Sequence, residues 1–527
     1  MSEHFPYYLM LSQLIRSLLD CKVTMDVPVY GLTSDSRQVK NGYVFVAYPG
    51  VSQDGRDYIE DAVKNGASAV MMESPTGKDD IQLRYIGDRT LPVLYVLNLQ
   101  NLYGVFVSRF YLDPSRKVSL IGVTGTNGKS SVTQIFQSAM NRIHKKTGFI
   151  GTLGMSNSLD DEQPSSEKTK DVNVISKNVS SHTTPDASDV QKAIAHMQTN
   201  GYENIIMEVS SIGLDQNRVN GCIFDTAILT NISRDHLDYH ESFEKYCEAK
   251  AKLFAKPFLN NVIVNIDDQS GKELFIRYSA EKNVIGYSLD KKYLDNRSVV
   301  VAHQIESNLD GSAFMVHSPW GIGELSTSLI GKFNIYNILA CLAAMCIHEI
   351  PFQDAIDSLA DSQGVPGRMQ RFKASDFAPN VFVDYAHTPD ALGKILSLLK
   401  HHCQGELKII FGCGGDRDKG KRMLMGQVAD KYADFVMLTD DNPRFENPND
   451  IIDDIVSGLS ANTTYEIEHD RSIAIAKTIQ QASQDDIVVI AGKGHENTQE
   501  IAGVFHSYSD IEQVKKLTDR VFFEKAV

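Results

Sequence analysis

The sequence predicts an α/β protein of three domains built around parallel sheets. Short apolar strands alternate with helical stretches twice along the chain, from about residue 117 and again from about residue 363. Such alternation is typical of parallel sheets with helices on their faces. The 527 residues also match three or four domains of about 150 residues each. We therefore expect domains at 1–98, 99–362 and 363–527, of which the first is a smaller α/β domain.

The composition favours a cytoplasmic protein that works on small molecules. The formal net charge is −15, which repels phosphate backbones and argues against nucleic-acid binding. Seven dispersed Cys without a C-x-x-C pair indicate free thiols in a reducing compartment. The longest apolar run, 338–347, is half a membrane span and is better interpreted as a buried helix. We expect no signal peptide, no membrane association and a monomer.

The first two thirds of the chain contain several short strands. One run, Val44 to Ala47, ends at the turn signal Pro49-Gly50. Another, Lys117 to Val123, leads into a Gly-rich turn and a helical pattern that continues to about Arg142. The polar segment 153–182 predicts a long surface loop. Further strands are predicted at Ile205–Met207, Ala227–Leu229 and Val262–Val264.

In the last third, each predicted strand is followed by a polar motif containing Gly or Pro. Ligands of open parallel sheets bind beyond the carboxyl ends of the strands, so these motifs predict one shared crevice. The strands are Val381–Val383, Leu407–Phe411, Phe435–Leu438 and Ile487–Ile490, and the motifs are 384–389, 412–422, 440–444 and 492–496.

The Gly-rich turn at 124–131 predicts a phosphate-binding loop. Backbone N–H groups of such a turn, together with the start of the following helix, attract phosphate oxygens. Lys129 would reach the terminal phosphates and the Ser130 hydroxyl would bind Mg²⁺. The spacing is imperfect, because Val123 stands where the strict pattern has Gly. The loop indicates a nucleoside triphosphate without separating a ligase from a GTPase or another ATPase.

Two residues near this loop are candidate Mg²⁺ ligands. Glu208 ends the strand at Ile205–Met207, and His236 follows the next strand. A carboxylate and an imidazole there could hold a cation between phosphate and an acceptor carboxylate. Alternatively, Glu208 caps a helix and His236 is a hydrogen-bonded, partly buried side chain.

Taken together, these motifs resemble the Mur ligases, which add amino acids to the peptide of the bacterial cell-wall precursor. The resemblance runs from about Asp35 to Asp510 and is closest to the members that add the third residue. It departs at Ile212 and Val51, where many relatives have His. The motifs that carry it are 125–131, 208–211, 233–238, 384–387, 414–422, 441–444 and 492–496.

The resemblance implies a domain order and a set of substrate contacts. It implies an N-terminal domain for the UDP-sugar, a central ATP-binding domain with a P-loop ATPase-like parallel sheet, and a C-terminal Rossmann-like domain for the amino acid. The segments that match contacts to the UDP-sugar dipeptide supply Ser34, Ser36, Val51, Ser52, Gln53, Thr183, Thr184, Ser210, Gln216 and Arg218.

The resemblance also implies the nucleotide and metal contacts. Lys250 matches a lysine that the family carbamylates, which turns its tip into an oxygen ligand for Mg²⁺; the alternative is an ordinary surface Lys. The implied metal ligands are Ser130, Glu208, His236 and carbamylated Lys250, and the implied catalytic residues are Lys129, Glu208, His236 and Lys250. The implied ATP contacts are Gly125, Thr126, Asn127, Gly128, Lys129, Ser130, Ser131, Asn334, Asp384 and His387.

Arg444 is the residue that indicates which amino acid is the substrate. Its guanidinium can fork onto the extra carboxylate of meso-diaminopimelate but would repel the ammonium of lysine, and Arg417 could bind the other carboxylate. Alternatively, Arg444 forms a surface ion pair with Glu446 or Asp440. The full set expected to bind the amino acid is Arg417, Asp441, Asn442, Pro443, Arg444, Gly492 and Glu496.

These observations predict an ATP- and Mg²⁺-dependent ligase. It would activate the carboxylate of the UDP-muramoyl dipeptide as an acyl phosphate and join it to diaminopimelate. Three alternatives stay open: the same ligase using L-lysine, an enzyme similar to folylpolyglutamate synthetase, and a nucleotide-dependent interaction protein without catalysis.

Overall fold

The structure is a computed structural model that describes residues 8–50, 53–156, 183–375 and 378–524. The chain divides into two compact units, one of residues 1–124, 144–228 and 249–262, the other of 125–143, 229–248 and 263–527. The boundaries expected near residues 98 and 362 stay predictions. Val51, Ser52 and nearly all of the predicted loop at 153–182 lie outside the described residues.

The strands are, in chain order, β1 (Leu9–Met10), β2 (Pro28–Val29), β3 (Gly31–Thr33), β4 (Tyr43–Ala47), β5 (Ala69–Glu73), β6 (Asp80–Ile86), β7 (Arg89–Val96), β8 (Ser119–Thr124), β9 (Thr147–Gly151), β10 (Gly154–Ser156), β11 (Asn204–Glu208), β12 (Thr226–Leu229), β13 (Asn261–Asn265), β14 (Asn283–Ser288), β15 (Val299–Asn308), β16 (Gly311–Ser318), β17 (Gly321–Thr327), β18 (Gln370–Phe372), β19 (Asn380–Asp384), β20 (Leu407–Phe411), β21 (Phe435–Leu438), β22 (Tyr465–Ile467), β23 (Ile487–Ala491), β24 (Thr498–Ile501) and β25 (Val504–Ser507).

The helices are α1 (Leu11–Ile15), α2 (Ile59–Lys64), α3 (Leu99–Phe110), α4 (Lys129–Arg142), α5 (Ala187–Thr199), α6 (Ser211–Asp215), α7 (Leu237–His240), α8 (Phe243–Ala251), α9 (Gln269–Tyr278), α10 (Lys332–Ile347), α11 (Phe352–Ala360), α12 (Pro389–His402), α13 (Gly420–Tyr432), α14 (Pro448–Val456), α15 (Arg471–Gln481) and α16 (Asp510–Glu524).

The first unit contains two groups of sheet strands. Near the N-terminus the order is β3-β4-β5-β7-β6, parallel except for the hairpin of β6 and β7. Its core includes Val44, Val46 and Phe106. The second group has the order β10-β9-β11-β8-β12, in which β11 is parallel to both β8 and β9. Parallel pairing places the ends of these strands, and the polar residues that follow, at one edge of the sheet.

The second unit contains the sheet that carries the four polar motifs of the last third. Its order is β18-β19-β23-β20-β21-β22, and all pairs are parallel except β18 with β19. Helices α12, α13 and α14 supply apolar side chains to its core, among them Leu396, Met425 and Ile455. The predicted α/β fold with a Rossmann-like third domain is confirmed.

Most predicted elements match the observed ones to within one or two residues. The predicted strand Leu407–Phe411 is β20, and the helix after the Gly-rich turn is α4, ending at Arg142 as predicted. The apolar run 338–347 lies in α10, whose residues 337–346 are all buried. Within the described residues no helix has both the length and the apolar character to span a membrane. All seven Cys are free thiols, as predicted.

Two expectations are wrong. The segment expected to be a loop from residue 153 starts with strand β10, which forms an antiparallel hairpin with β9. The central region is also not parallel throughout, because β15, β16 and β17 form an antiparallel meander. Residues 303–308 and 311–318 alternate strictly between less and more buried positions, as expected for strands with one buried face. The sequence analysis predicted no strands in these ranges.

Candidate functional site

The second unit contains a cavity of about 1030 Å³ beside the Gly-rich turn. A cavity of this size accommodates a ligand as large as a nucleotide. Three sets of residues predicted to bind ATP line it, namely the turn, α10 and the end of β19. They are Asn127, Gly128, Ser131, Asn334 and Asp384.

The conformation of the turn is fixed by a glycine and by several hydrogen bonds. Gly128 precedes α4 at φ +87°, and a Cβ there would approach Asn337 Oδ1 to 2.7 Å, so both the conformation and the space require glycine. Lys129 Nζ donates to the carbonyls of Gly125 and Thr126 at 2.8 and 3.0 Å. The Thr126 hydroxyl is bound to the Ser233 carbonyl and to Tyr246. These bonds fix the shape of the loop, and the backbone N–H groups of Thr126 and Asn127 donate to Asn231.

Asn334 and Asn337 form a fixed pair of amides on α10. Asn334 Nδ2 donates to the Ile330 carbonyl at 3.0 Å, and its Oδ1 accepts from Asn337 Nδ2 at 3.2 Å. Both residues are buried and both line the cavity. The nucleotide contact expected for Asn334 stays a prediction.

The motif 384–387 begins at the last residue of β19, and its polar residues Asp384 and His387 have different surroundings. Asp384 lines the cavity, and its carboxylate accepts the backbone N–H groups of Met369 and Ala386 at 2.6 and 2.7 Å. Burial raises the pKa of Asp384 in spite of the nearby Arg368 charge. His387 is not among the residues that line the cavity; its Nε2 lies 3.6 Å from Asp235 Oδ2. Of this pair, only Asp384 therefore adjoins the cavity.

Asp235 links two histidines and was not singled out by the sequence. Besides His387, it lies 3.4 Å from His236 Nε2 and accepts the His236 backbone N–H at 3.0 Å. Burial alone would raise the pKa of Asp235, but the two imidazoles hold it well below its ordinary value. An ionised carboxylate here orients His236, the candidate metal ligand, and fixes which ring nitrogen carries its proton.

Arg368 is a second residue that the sequence did not reveal. It lines the cavity, stacks over the Tyr385 ring at 4.3 Å, and its Nη2 lies 3.4 Å from Ser130 Oγ. Its Nε is buried and has no hydrogen-bond partner among the residues that the structure describes. A guanidinium beside the phosphate loop adds positive charge where a triphosphate would end. Nothing in the pattern around residue 368 distinguishes this arginine from other surface arginines.

In the first unit, Glu208 lies at the end of β11. Its Oε1 accepts the Thr152 backbone N–H at 2.9 Å, and its Oε2 accepts the Thr152 hydroxyl at 3.2 Å. The alternative that Glu208 caps a helix is wrong, because Ser210 caps α6 through the Gly213 N–H. Gly151 faces Glu208 so closely that a Cβ there would lie 2.3 Å from Oε1. The Glu208 carboxylate is thus positioned by Thr152 and does not cap α6.

Lys250 is buried in the same unit, with 2% of its surface exposed. The alternative of an ordinary surface lysine is therefore wrong. Carbamylation of Lys250 stays a prediction. The donors that the residues offer are a Ser hydroxyl, a carboxylate, an imidazole and, after carbamylation, a carbamate. Three of these are the hard oxygen ligands that Mg²⁺ prefers, so their chemistry fits the ion.

Within the described ranges, no group of three or more His, Cys, Asp and Glu is placed to hold a metal ion. The metal ligands expected from the sequence, Ser130, Glu208, His236 and carbamylated Lys250, stay predictions.

Several residues expected to bind the UDP-sugar dipeptide lie together in the first unit. The Thr184 hydroxyl bonds to the Ser210 hydroxyl at 3.1 Å, and the Thr184 carbonyl accepts Arg218 Nη1 at 2.8 Å. Arg218 is fixed further by Gln216 Oε1. Ser34 donates to Asp186, the residue before α5. Three further residues were expected to bind the dipeptide. Ser36 is partly buried, Gln53 is exposed, and Thr183 directly precedes Thr184 in the chain.

The four motifs of the last third meet at one edge of their sheet. Asn442 connects three of them: its carbonyl accepts the Gly415 N–H, its Oδ1 accepts Lys493 Nζ at 2.9 Å, and its Nδ2 donates to Glu496 at 3.2 Å. The fourth joins through Gly492, whose N–H donates to the Asp384 carbonyl. Lys493 is fully buried, and it was not predicted to have a role.

Arg444 is an ion-pair residue, but with a partner that the sequence did not suggest. Its Nε donates to Glu500 at 2.9 Å, whereas Glu446 is occupied by Arg422 and Lys419. The expected partners Glu446 and Asp440 are therefore wrong. Asp440 pairs instead with His469 at 2.8 Å. Arg417 is exposed and bonds within the described residues to the adjacent Asp416 carbonyl.

Three models of one protein family match the chain. They are the Mur ligase family catalytic domain at residues 28–111, the Mur ligase middle domain at 123–345, and the Mur ligase glutamate ligase domain at 367–494. The fold and the site therefore define a Mur ligase, and the chain belongs to this family.

Two relatives and one solved structure show which member of the family the chain is similar to. A UDP-N-acetylmuramoyl-L-alanyl-D-glutamate–2,6-diaminopimelate ligase of Coxiella burnetii is 43% identical over 95% of this chain and 99% of its own. The ligase of that name from Pseudomonas aeruginosa is 42% identical over 93% and 95%. A solved structure of such a ligase superposes with a TM-score of 0.66 at 33% identity, covering 98% of this chain and 100% of its own.

More distant structures share the fold alone. MurF ligase from Thermotoga maritima, solved in complex with ADP, has a TM-score of 0.61 at 17% identity and covers 94% of this chain and 98% of its own. A folylpolyglutamate synthase of Mycobacterium tuberculosis has a TM-score of 0.58 at 16% identity and covers 75% of this chain and 92% of its own.

Proposed function

We propose that the protein is the ATP-dependent ligase that adds meso-2,6-diaminopimelate to UDP-N-acetylmuramoyl-L-alanyl-D-glutamate during peptidoglycan precursor synthesis. The observation that carries the proposal is Arg444, which is fixed by Glu500; the Glu500 backbone N–H in turn donates to Asn442, in the motif that also contacts Glu496. The relatives of similar length that bear this enzyme's name support it. A cytoplasmic location and a monomeric state remain predictions.

In the first step the dipeptide's terminal carboxylate attacks the γ-phosphorus of ATP. The bond from that phosphorus to the β–γ bridging oxygen breaks, ADP leaves, and an acyl phosphate forms. Two anions meet in this step, so positive charge near the γ-phosphate lowers the barrier. Lys129 and Arg368 would supply it from the protein, and Mg²⁺, when bound, would add further positive charge. Ser130, Glu208, His236 and carbamylated Lys250 would hold the ion.

In the second step the amine of diaminopimelate attacks the acyl carbon, and phosphate leaves with the electrons of the broken C–O bond. The acyl phosphate is open to hydrolysis, so water has to be excluded while the amine approaches. The loops that meet around Asn442 would hold the amino acid through its charged groups. Arg444 favours a substrate with a second carboxylate over lysine, because that end of lysine carries only an ammonium.

An amino-acid panel tests the proposal. Purified protein is incubated with ATP, Mg²⁺ and the UDP-muramoyl dipeptide, together with meso-diaminopimelate, L-lysine or no amino acid, and phosphate and product are measured. We expect product with diaminopimelate and little with lysine. Efficient use of lysine would refute the assignment of the amino acid, and nucleotide turnover that ignores the dipeptide would refute the ligase.

A further inference from the structure

The hairpin of β24 and β25 holds the backbone of Arg444 in an unfavourable conformation. Arg444 has φ +53°, in the left-handed region that residues other than glycine seldom adopt. Its N–H donates to the Glu500 carbonyl at 3.1 Å, and its carbonyl accepts the Ala502 N–H at 2.8 Å. A parallel bridge to Ile501 connects the same two segments. These bonds offset the strain, so the hairpin sets where the Arg444 side chain begins.

The same hairpin holds the Arg444 side chain. Nε donates to Glu500 Oε2 at 2.9 Å, and Nη1 donates to the Gly415 carbonyl at 2.7 Å. The Glu500 backbone N–H in turn donates to Asn442 Oδ1 at 2.9 Å. Glu500 therefore contacts two members of the 441–444 motif: Arg444 through its carboxylate and its backbone carbonyl, and Asn442 through its backbone N–H.

These contacts leave one edge of the guanidinium for a ligand. A guanidinium has five N–H donors, and the protein uses one on Nε and one on Nη1. Among the residues that the structure describes, Nη2 has no hydrogen-bond acceptor. Nη2 retains N–H donors that can bind a carboxylate oxygen through a charge-assisted hydrogen bond. The side chain is 18% exposed, so this edge is not fully covered.

We infer that Glu500 is a positioning residue that fixes Arg444 for the second carboxylate of the amino-acid substrate. The inference rests on the proposed function, which supplies that carboxylate. A free arginine side chain has many rotamers, and ordering them opposes binding. Glu500 removes that freedom before the substrate arrives. It also neutralises part of the Arg444 charge, which opposes carboxylate binding, and the inference holds that the fixed geometry outweighs this loss.

The test is steady-state kinetics of Glu500→Ala and Glu500→Gln with ATP, the UDP-muramoyl dipeptide and meso-diaminopimelate. For Glu500→Ala we expect the diaminopimelate KM to rise about tenfold, equal to about 1.4 kcal/mol, with kcat and the ATP KM near wild type. Glu500→Gln keeps an oxygen acceptor for Nε and should show a smaller rise. Glu512→Ala removes an exposed carboxylate on nearby α16 and serves as the matched control.

The double variant Glu500→Ala with Arg444→Ala distinguishes an effect of Glu500 on Arg444 from a general disturbance of the hairpin. If Glu500 acts through Arg444, Glu500→Ala should change nothing further in the Arg444→Ala background. A diaminopimelate KM that is unchanged or lower in Glu500→Ala would overturn the inference. So would an equal additional loss in the Arg444→Ala background, because it would mean that the hairpin itself is disturbed. If the wild-type protein does not ligate diaminopimelate at all, the proposed function fails first, and this inference fails with it.

Discussion

Arg471 and Asp510 form an ion pair with no exposed side-chain surface on either partner. Both carboxylate oxygens accept guanidinium N–H groups at 2.8 Å, and Arg471 Nη2 also donates to the Ala491 carbonyl. The pair joins the start of α15 to the start of α16 at the end of β23. It thereby supports the strand that leads into Gly492 and Lys493.

Asp510→Ala is predicted to destabilise the protein strongly. The substitution leaves the Arg471 charge buried without its partner, and loss of one member of a buried pair costs about 3–5 kcal/mol. The measurement is the shift of the urea unfolding midpoint, followed by circular dichroism. Glu512→Ala, on the same helix but exposed, should change stability by less than about 0.5 kcal/mol. Equal midpoints for the two variants would contradict the prediction.

Lys129→Ala is predicted to abolish nucleotide turnover while the fold is retained. The side chain lies in the phosphate loop, and removing a charge that stabilises a phosphoryl transition state costs at least about a hundredfold in kcat. The assay is phosphate release with all three substrates, and circular dichroism checks the fold. Lys145→Ala, an exposed lysine just after α4, is the control. Ligation by Lys129→Ala at the wild-type rate would disprove the mechanism.

Gly151→Ala is predicted to weaken the response to Mg²⁺ without unfolding the protein. The added Cβ would lie 2.3 Å from Glu208 Oε1, and because that oxygen ends a flexible side chain, the carboxylate moves rather than the backbone. Displacing a metal-ligating carboxylate should raise the Mg²⁺ concentration for half-maximal activity by about tenfold or more. Gly364→Ala, where a Cβ would meet nothing within 4 Å, is the control. An unaltered Mg²⁺ titration would argue against Glu208 as a ligand.

Arg444→Ala is predicted to raise the diaminopimelate KM by about tenfold to a hundredfold. A bidentate pair between a guanidinium and a carboxylate is a strong, charge-assisted interaction, and its loss falls on one substrate only. The KM values of ATP and of the UDP-muramoyl dipeptide should stay close to wild type. Arg277→Ala, an exposed arginine on α9, is the matched control. If the diaminopimelate KM does not move, the assignment of this substrate is wrong.

The stability that Glu446 contributes is predicted to vanish in acid. Its hydrogen bond from Arg422 lowers the pKa of Glu446 from 4.5 to about 2. A carboxyl group whose pKa is lowered by folding stabilises the protein fully above the unfolded pKa, and the contribution disappears as pH falls through the folded value. The difference in unfolding free energy between wild type and Glu446→Gln should therefore be constant above about pH 4.5 and shrink towards pH 2. A difference independent of pH would contradict this.

Local sequence patterns predicted the strands and the loops that follow them well. Strand β20 and helix α4 end where the apolar periodicity ends, because backbone pairing and side-chain burial follow the same short-range pattern. The turn at 125–128 was recognisable because only glycine fits its positive φ values. The meander of β15 to β17 was missed because its alternation is one of burial in the structure, whereas its residues do not alternate between apolar and polar types.

The sequence by itself determined the α/β class, the Gly-rich turn and the four motifs that follow the strands of the last third, since each is encoded by residues adjacent in the chain. Only the tertiary structure decided the partners of those residues. Asp235 between two histidines, Arg368 at the nucleotide cavity and Glu500 on Arg444 come from contacts between distant segments. A charged side chain carries no local mark of its partner, because the partner is selected by how the strands and helices pack.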